Sequence, residues 1–229
     1  MAIGCVVRVA ALLFGLTLSA GPAGADPRPV VVELFTSQGC SSCPPADALL
    51  AELARRDGVL PLGFHVNYWD RLGWKDPLSS QNSTDRQKAY AKHFTGGQIY
   101  TPQIVVEGMR EMIGSDREKV LSALREARPV ATAPVAFAED RRSVAIGPGK
   151  GGGTVVLVRF VRHRTTEVGA GENAGRVLRD ANGVRALTTL GAWDGSARIF
   201  PVEPPGAGEG IAVLVQASDG QMLGAGYIH

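Results

Sequence analysis

The stretch VVVELFTSQGCSSCPPADALLAELARR, residues 30–56, decides the fold of this chain. Val30 to Leu34 form a largely apolar, β-branched run, which is typical of a buried strand. After Pro44 and Pro45 the apolar residues recur at the spacing of one helix face. Proline is tolerated in a first helical turn because the N–H groups there lack intrahelical partners. The stretch therefore predicts a strand, a short polar turn and an amphipathic helix.

Two cysteines, Cys40 and Cys43, stand at the junction between that strand and that helix. The unpaired N–H groups and the dipole at a helix N-terminus favour a thiolate, and a lowered pKa makes a cysteine a nucleophile. Cys43 follows one turn later, close enough to attack a mixed disulfide formed at Cys40. This position predicts a redox-active dithiol.

A zinc half-site or an inert disulfide is the alternative interpretation of the same pair. Zinc needs three or four ligands, and the sequence contains no second C-x-x-C and no paired-histidine motif. A disulfide that closes so short a loop constrains the unfolded chain by only roughly 2 kcal/mol.

The chain has 229 residues, with 24 basic and 22 acidic side chains. A net charge of +2 gives no general electrostatic reason to expect nucleic acid or an anionic membrane as partner. Residues 1–25 carry a single charge, Arg8, an apolar core and the small residues Ala23-Gly24-Ala25, which together predict a secretory signal peptide. We therefore expect an exported, periplasmic or secreted protein without an integral membrane span, and exclude Cys5 from its function.

An aromatic, turn-rich segment, residues 67–77, follows a second predicted strand at residues 59–66. Trp69 and Trp74 either form a wall that faces the substrate or cover the edge of the sheet. Asp70 comes just after the strand's C-terminal end, where ligands gather in open α/β sheets. These three residues are predicted to bind substrate, whereas His65, on the strand itself, is predicted to be a core histidine.

The remaining elements of the first half alternate between helix and strand. We predict a helix over residues 79–94, a strand over 100–108 that turns into a return strand at 111–114, and a helix opened by a capping box at Ser115 and Glu118. The predicted order is thus β-α-β-α-β-β-α.

This order, with C-S-S-C at the first strand–helix junction and Thr101-Pro102 at the third strand, resembles the thioredoxin fold. The resemblance implies a cis proline that faces the two sulfurs, and so makes Thr101 and Pro102 substrate-positioning residues. It also matches Glu33 to the strand acid that accepts a proton from the second cysteine. Ser41-Ser42 in place of Gly-Pro, and the extra segment 67–97, depart from the thioredoxin pattern.

More closely, four segments resemble the bacterial secreted domain-of-unknown-function 1223 family, which has a thioredoxin-like first half. They are ELFTSQGCSSCPPAD, FHVNYWDRLGWKDP, YTPQIVVEG and GENAGR. The resemblance spans most of residues 30–229. It implies the fold and export, but no substrate.

The character of the chain changes near residue 130. From there, short alternating or apolar runs separated by Gly and Pro predict an antiparallel β-sandwich or open barrel over residues 131–229, after a thioredoxin-like domain over 26–130. Leu187–Leu190 is predicted as a helical turn. The segment Glu172–Arg176 either contacts the first domain or a ligand, or forms a surface hairpin turn, which is the commoner outcome for such residues.

Three functions are consistent with these patterns. The first is a thiol–disulfide oxidoreductase that exchanges electrons with protein thiols or disulfides and with an upstream redox partner. Its only redox group would be the Cys40–Cys43 disulfide, because no flavin, haem or nicotinamide site is legible. The second is a binding protein with a structural disulfide. The third is a Cu(I) metallochaperone that adds His65 or Met109 to the two thiolates. The sequence leaves the direction of the redox reaction and the oligomeric state open.

Overall fold

The computed structural model describes Met1, residues 28–127, Pro129 and residues 131–229. The predicted signal peptide, apart from Met1, and Cys5 lie outside the described residues. No helix in the described part of the chain is long and apolar enough to cross a membrane.

The first half has the predicted order of elements. It consists of β1 (Val30–Thr36), α1 (Pro44–Leu53), β2 (Val59–His65), a 3-10 turn (Asp70–Leu72), α2 (Gln81–Phe94), β3 (Gln103–Val106), β4 (Arg110–Ile113) and α3 (Arg117–Glu126). The prediction that Ser115 caps the last helix is wrong. Asp116 is the N-cap, and its side chain accepts a hydrogen bond from the Lys119 N–H.

The second half of the described chain is built of strands. They are β5 (Val135–Phe137), β6 (Ser143–Ile146), β7 (Gly153–Glu167), β8 (Val177–Trp193), β9 (Arg198–Pro201), β10 (Glu209–Gln216) and β11 (Met222–Ile228). The predicted helical turn at Leu187–Leu190 is wrong, because these residues lie inside β8. Pairing with β7, for example Leu187 with Val158, holds them extended.

One eight-stranded mixed sheet, in the order β11-β10-β7-β8-β2-β1-β3-β4, runs through both halves of the chain. β1 pairs in parallel with β2 and antiparallel with β3, and β8 joins β2 in parallel at Gly63 and Gly183. The sheet therefore crosses the domain boundary that the sequence suggests near residue 130. A separate antiparallel sheet has the order β5-β6-β9.

The two faces of β1 contact different layers. Val32 and Leu34 pack in one buried cluster with residues of α1 and α3. Val31 and Phe35 point to the opposite face, in a cluster that also takes Val158 and Leu214 from the second half. A third cluster packs the small sheet on the large one, and includes Val144, Ile146, Val155, Trp193, Val213 and Leu223. The alternation of β1 thus decides which of its side chains can reach α1.

Candidate functional site

Cys40 and Cys43 form a disulfide at the junction of β1 and α1, with their Cα atoms 5.4 Å apart. α1 begins at Pro44 with Cys43 as its N-cap, and the Cys43 N–H donates to the Cys40 carbonyl at 3.2 Å. Cys40 therefore lies one tight turn before the helix. Both cysteines are 0% exposed, although Ser41 and Ser42 between them are exposed. Burial of Cys40 was not expected for a group that must meet a partner thiol.

Thr101 and Pro102 lie close to the start of α1. Their peptide bond is cis, in agreement with what the thioredoxin resemblance implies. A Cβ added to Gly114 would lie 3.2 Å from the Ala46 Cβ and 3.3 Å from the Pro102 Cβ, so the missing side chain lets these segments approach. The Trp69 indole N–H donates to the Thr101 hydroxyl at 2.8 Å.

The two tryptophans border the turn that carries the cysteines. Trp69 lies beside Gly39, where an added Cβ would meet its Cβ at 3.4 Å. The Trp74 indole N–H donates to Oε1 of Gln38 at 3.2 Å. Asp70, in contrast to the two tryptophans, contacts its own loop. Its carboxylate accepts hydrogen bonds from the Ser79 hydroxyl at 2.7 Å and the Asp76 N–H at 3.3 Å. Asp70 thus stabilises the loop between β2 and α2.

Glu33 is not brought together with the cysteines. It lies on the face of β1 opposite to Val32 and Leu34, and so faces away from α1. Its buried carboxylate accepts from Arg86 Nε at 2.5 Å and also from the Tyr90 hydroxyl. Burial alone would lower the pKa of Arg86, but the attraction of the Glu33 carboxylate is stronger and raises that pKa. Glu33 is therefore one half of a buried ion pair.

Asp47 is a carboxyl-bearing residue one helical turn after Cys43 that the sequence analysis missed, and its N–H donates to the Cys43 carbonyl at 3.1 Å. It lies four residues after Cys43 in α1, and helical residues at this spacing share one face. Its Oδ1 accepts a hydrogen bond from the Thr36 hydroxyl at 2.7 Å. Burial, opposed by His65 and by that hydrogen bond, raises the pKa of Asp47 from 3.8 to about 7. The signal in the sequence was the Cys-x-x-x-Asp spacing within a predicted helix.

His65 lies beneath this region with the buried carboxyl groups of Asp76 and Asp180, and it also interacts electrostatically with the partly exposed Asp47. His65 Nδ1 is 2.7 Å from Asp76 Oδ2, and its Nε2 is 3.9 Å from Asp180 Oδ1. Burial alone would lower the pKa of His65, but the three carboxyl groups outweigh it and raise the pKa to about 9. His65 is indeed a core histidine with a hydrogen-bond partner, and it carries a positive charge at neutral pH.

The connection between β7 and β8, Val168–Arg176, reaches the cysteine turn from the other half of the chain. We call it the hairpin tip. Asn173 is 0% exposed, and its side-chain amide donates to the carbonyls of Gln38 and Cys40, each at 2.9 Å. Glu172 accepts a hydrogen bond from the Ser41 N–H at 3.0 Å. The expectation of a plain surface turn is therefore wrong, and the alternative of a contact with the first half is confirmed.

The copper hypothesis needs His65 or Met109 as a third ligand beside the two thiolates. Within residues 28–127 and 131–229, no group of three or more His, Cys, Asp or Glu side chains is arranged to hold a metal ion. His65 is engaged with Asp76, and Met109 lies in the turn between β3 and β4 with 47% of its surface exposed.

Fold and site define a mixed α/β protein with a buried disulfide where its first strand meets its first helix. The chain belongs to the family described as protein of unknown function (DUF1223), whose model matches residues 31–216. This finding confirms the family resemblance noted from the sequence.

Two solved structures are similar to this chain. The crystal structure of a protein from Agrobacterium tumefaciens is 33% identical, with a TM-score of 0.75, over 89% of this chain and 95% of that one. HBP35 of Porphyromonas gingivalis is 14% identical, with a TM-score of 0.53, over 88% of this chain and 75% of that one, a likeness of fold alone. The comparison with curated proteins finds no match.

Proposed function

We propose that this chain is an exported, thioredoxin-like thiol–disulfide oxidoreductase that exchanges electrons with protein thiols through Cys40 and Cys43. The observation that carries the proposal is the position of the disulfide. It lies at the N-cap of α1, and Asp47, an acid that titrates near pH 7, follows Cys43 by one helical turn. A dithiol at a helix N-terminus with a nearby proton acceptor has what exchange requires.

The reaction is a pair of thiolate displacements. In the reducing direction, the Cys40 thiolate attacks one sulfur of a partner disulfide, forms a mixed disulfide and releases the first partner thiolate. Cys43 passes its proton to Asp47, and the Cys43 thiolate then attacks Cys40 Sγ. The Cys40–Cys43 disulfide forms as the second partner thiolate leaves, and that thiolate takes a proton. Two electrons pass to the partner, and an upstream dithiol protein returns them to the cysteines.

The neighbouring residues have positioning roles in this proposal. Asp47 replaces Glu33 as the proton acceptor, because Glu33 faces α2 and is engaged by Arg86. The positive charge of His65 stabilises the ionised form of Asp47 after proton transfer. The Thr101–Pro102 segment, held by Trp69, positions the partner chain beside the start of α1.

A binding protein with a structural disulfide is the second candidate, and one observation favours it. Both cysteines are fully buried. A disulfide that no partner thiol reaches would only stiffen the turn between β1 and α1. The two functions differ in the reduction potential of the disulfide, which is therefore the quantity to measure.

The test equilibrates the oxidised protein with glutathione buffers and follows reduction of insulin disulfides. An exchange protein should show a potential between about −120 and −270 mV and should reduce insulin, whereas a structural disulfide should lie below about −300 mV. Cys43→Ser should trap a mixed disulfide at Cys40, and the matched Cys40→Ser variant should trap none. A potential below that limit together with no trapped partner would establish the binding protein instead.

A further inference from the structure

The hairpin tip binds the backbone around the first cysteine with contacts that span the chain. Asn173 and Cys40 are 133 positions apart, yet the Asn173 amide donates to the Cys40 carbonyl and to the Gln38 carbonyl, and is itself fully buried. Arg176 donates to Oδ1 of Asn173 at 2.7 Å and so orients that amide. The two carbonyls that flank Gly39 therefore have their hydrogen-bond partner in the tip.

A second set of contacts fixes the rest of the tip. Glu172 accepts from the Ser41 N–H, next to Cys40. Trp74 packs under the tip, because a Cβ added to Gly169 or Gly171 would lie 3.2 or 3.3 Å from its side chain. The absence of side chains at both glycines lets the tip approach Trp74, whose indole N–H donates to Gln38. The tip thus rests on the loop before α2 and on the cysteine turn at once.

The hairpin tip and the paired strands below it are stabilised by different contacts. Val168, at its base, is 2% exposed and exchanges backbone hydrogen bonds with Gly175 and Arg176. Below this point β7 and β8 are paired as far as Glu167 and Val177. Beyond it, the tip contacts the cysteine turn through the Asn173 and Glu172 hydrogen bonds and rests on Trp74. Below it, the Gln38 side chain also donates to Thr166 in β7 and to Asp180 in β8. A tip that lifted from the cysteine turn would break its own contacts with the turn and with Trp74, and leave the strand pairing below Val168 in place.

Thiol–disulfide exchange requires an attacking thiolate to reach a sulfur atom, so access to the sulfur limits its rate. In this structure Cys40 is 0% exposed with the tip in place. A small thiol needs only a brief opening of the cover, whereas a protein dithiol needs room for a whole chain segment at the same turn.

We propose that the hairpin tip, through Asn173 and Glu172, determines which thiols reach the Cys40–Cys43 disulfide and discriminates against partners that do not displace it. A productive protein partner must take over the hydrogen bonds that the tip makes to the Gln38 and Cys40 carbonyls and to the Ser41 N–H. The proposal rests on the proposed function for its biological meaning, but the access that it describes is a property of the disulfide itself.

The test compares reduction of the oxidised full-length protein by a small and by a large reductant. Dithiothreitol is the small one, and reduced thioredoxin, regenerated by its reductase, is the large one. Asn173→Ala removes the two hydrogen bonds of the Asn173 amide to the cysteine turn, and we expect it to speed reduction by thioredoxin about tenfold, because two such bonds stabilise the closed form by a factor of that order. With dithiothreitol we expect a smaller increase, about twofold. Ala174→Ser, at an exposed position of the same tip, is the matched control and should leave both rates unchanged.

The outcomes separate this proposal from its alternatives. Unchanged rates in a folded Asn173→Ala protein would overturn it, and so would an equal increase with both reductants, since that would report a change in the disulfide rather than in access. If Asn173→Ala does not fold, Glu172→Ala removes the acceptor of the Ser41 N–H at an exposed position and gives the same comparison, with an expected two- to threefold increase for thioredoxin alone. A reduction potential below the exchange range would refute the proposed function, yet leave the size dependence of these rates intact.

Discussion

Replacing Asp47 by Asn should make the oxidised protein more stable at alkaline pH, although it removes a residue from the proposed site. The amide keeps an oxygen that accepts the hydrogen bond of the Thr36 hydroxyl, but it cannot ionise. The pKa of Asp47 is raised from 3.8 to about 7, chiefly by burial. Since one pKa unit corresponds to about 1.4 kcal/mol, ionising Asp47 costs the folded state about 4 kcal/mol at most.

The partial exposure of Asp47 reduces this figure, because solvent screens its charge, and we expect about 2 kcal/mol. The sign follows from proton binding. A folded pKa above the unfolded one means that the folded protein holds its proton longer, so the stabilisation is complete below about pH 4 and is lost as pH rises through 7. Wild type loses this contribution over the window, whereas Asp47→Asn has no such contribution to lose.

The assay is urea unfolding of both oxidised proteins at pH 4, 6 and 8 at one salt concentration. The difference in the free energy of unfolding between variant and wild type should rise by about 2 kcal/mol from pH 4 to pH 8. Any pH-independent effect of the amide cancels in this comparison. A difference that stays flat across the range would refute the assignment of a raised pKa to Asp47.

The same variant tests the proposed role in exchange. The attack of Cys43 on the mixed disulfide should slow about 100-fold at pH 7, and its rate should lose the inflection near pH 7, because general acid–base groups contribute by such factors. Higher stability combined with slower resolution cannot come from misfolding. An unaltered pH profile would remove Asp47 from the mechanism.

Two further changes probe the frame of the site. Arg86→Met leaves the Glu33 carboxylate buried without its cation and should lower the free energy of unfolding in urea by about 3–5 kcal/mol. The double variant with Glu33→Gln should recover part of this loss. A double variant as unstable as the single one would contradict the ion-pair reasoning. Asn182, with φ of 47°, donates to the Pro61 carbonyl at 2.9 Å and ties β8 to β2, so Asn182→Ala should cost about 2–4 kcal/mol. Asn182→Gly can adopt the same backbone conformation and should lower the free energy of unfolding less than Asn182→Ala in the same assay. Equal losses in the two variants would show that the positive φ angle carries no energetic cost.

The sequence was a reliable guide wherever the relevant interactions are local. The apolar run of β1 and the helical spacing after Pro44 concern neighbouring residues, and both elements lie where they were predicted. Leu187–Leu190 failed for the opposite reason. The local composition permits a helical turn, but Val156, Leu157 and Val158 of β7 pair with Thr189, Thr188 and Leu187 and keep this stretch extended.

The candidate site also combines local features, which the sequence shows, with long-range contacts, which it does not. The sequence by itself determined the Cys-x-x-Cys pair at a strand–helix junction, because strand, motif and helix follow one another within 27 residues. Only the tertiary structure decided that Glu33 faces Arg86, that Asp180 joins His65, and that Asn173 binds the Cys40 carbonyl. These contacts join residues 53 to 133 positions apart, and no periodicity records them. Since burial and neighbouring charge set both access and pKa, the surroundings of the two sulfurs are a property of the packed fold rather than of the motif.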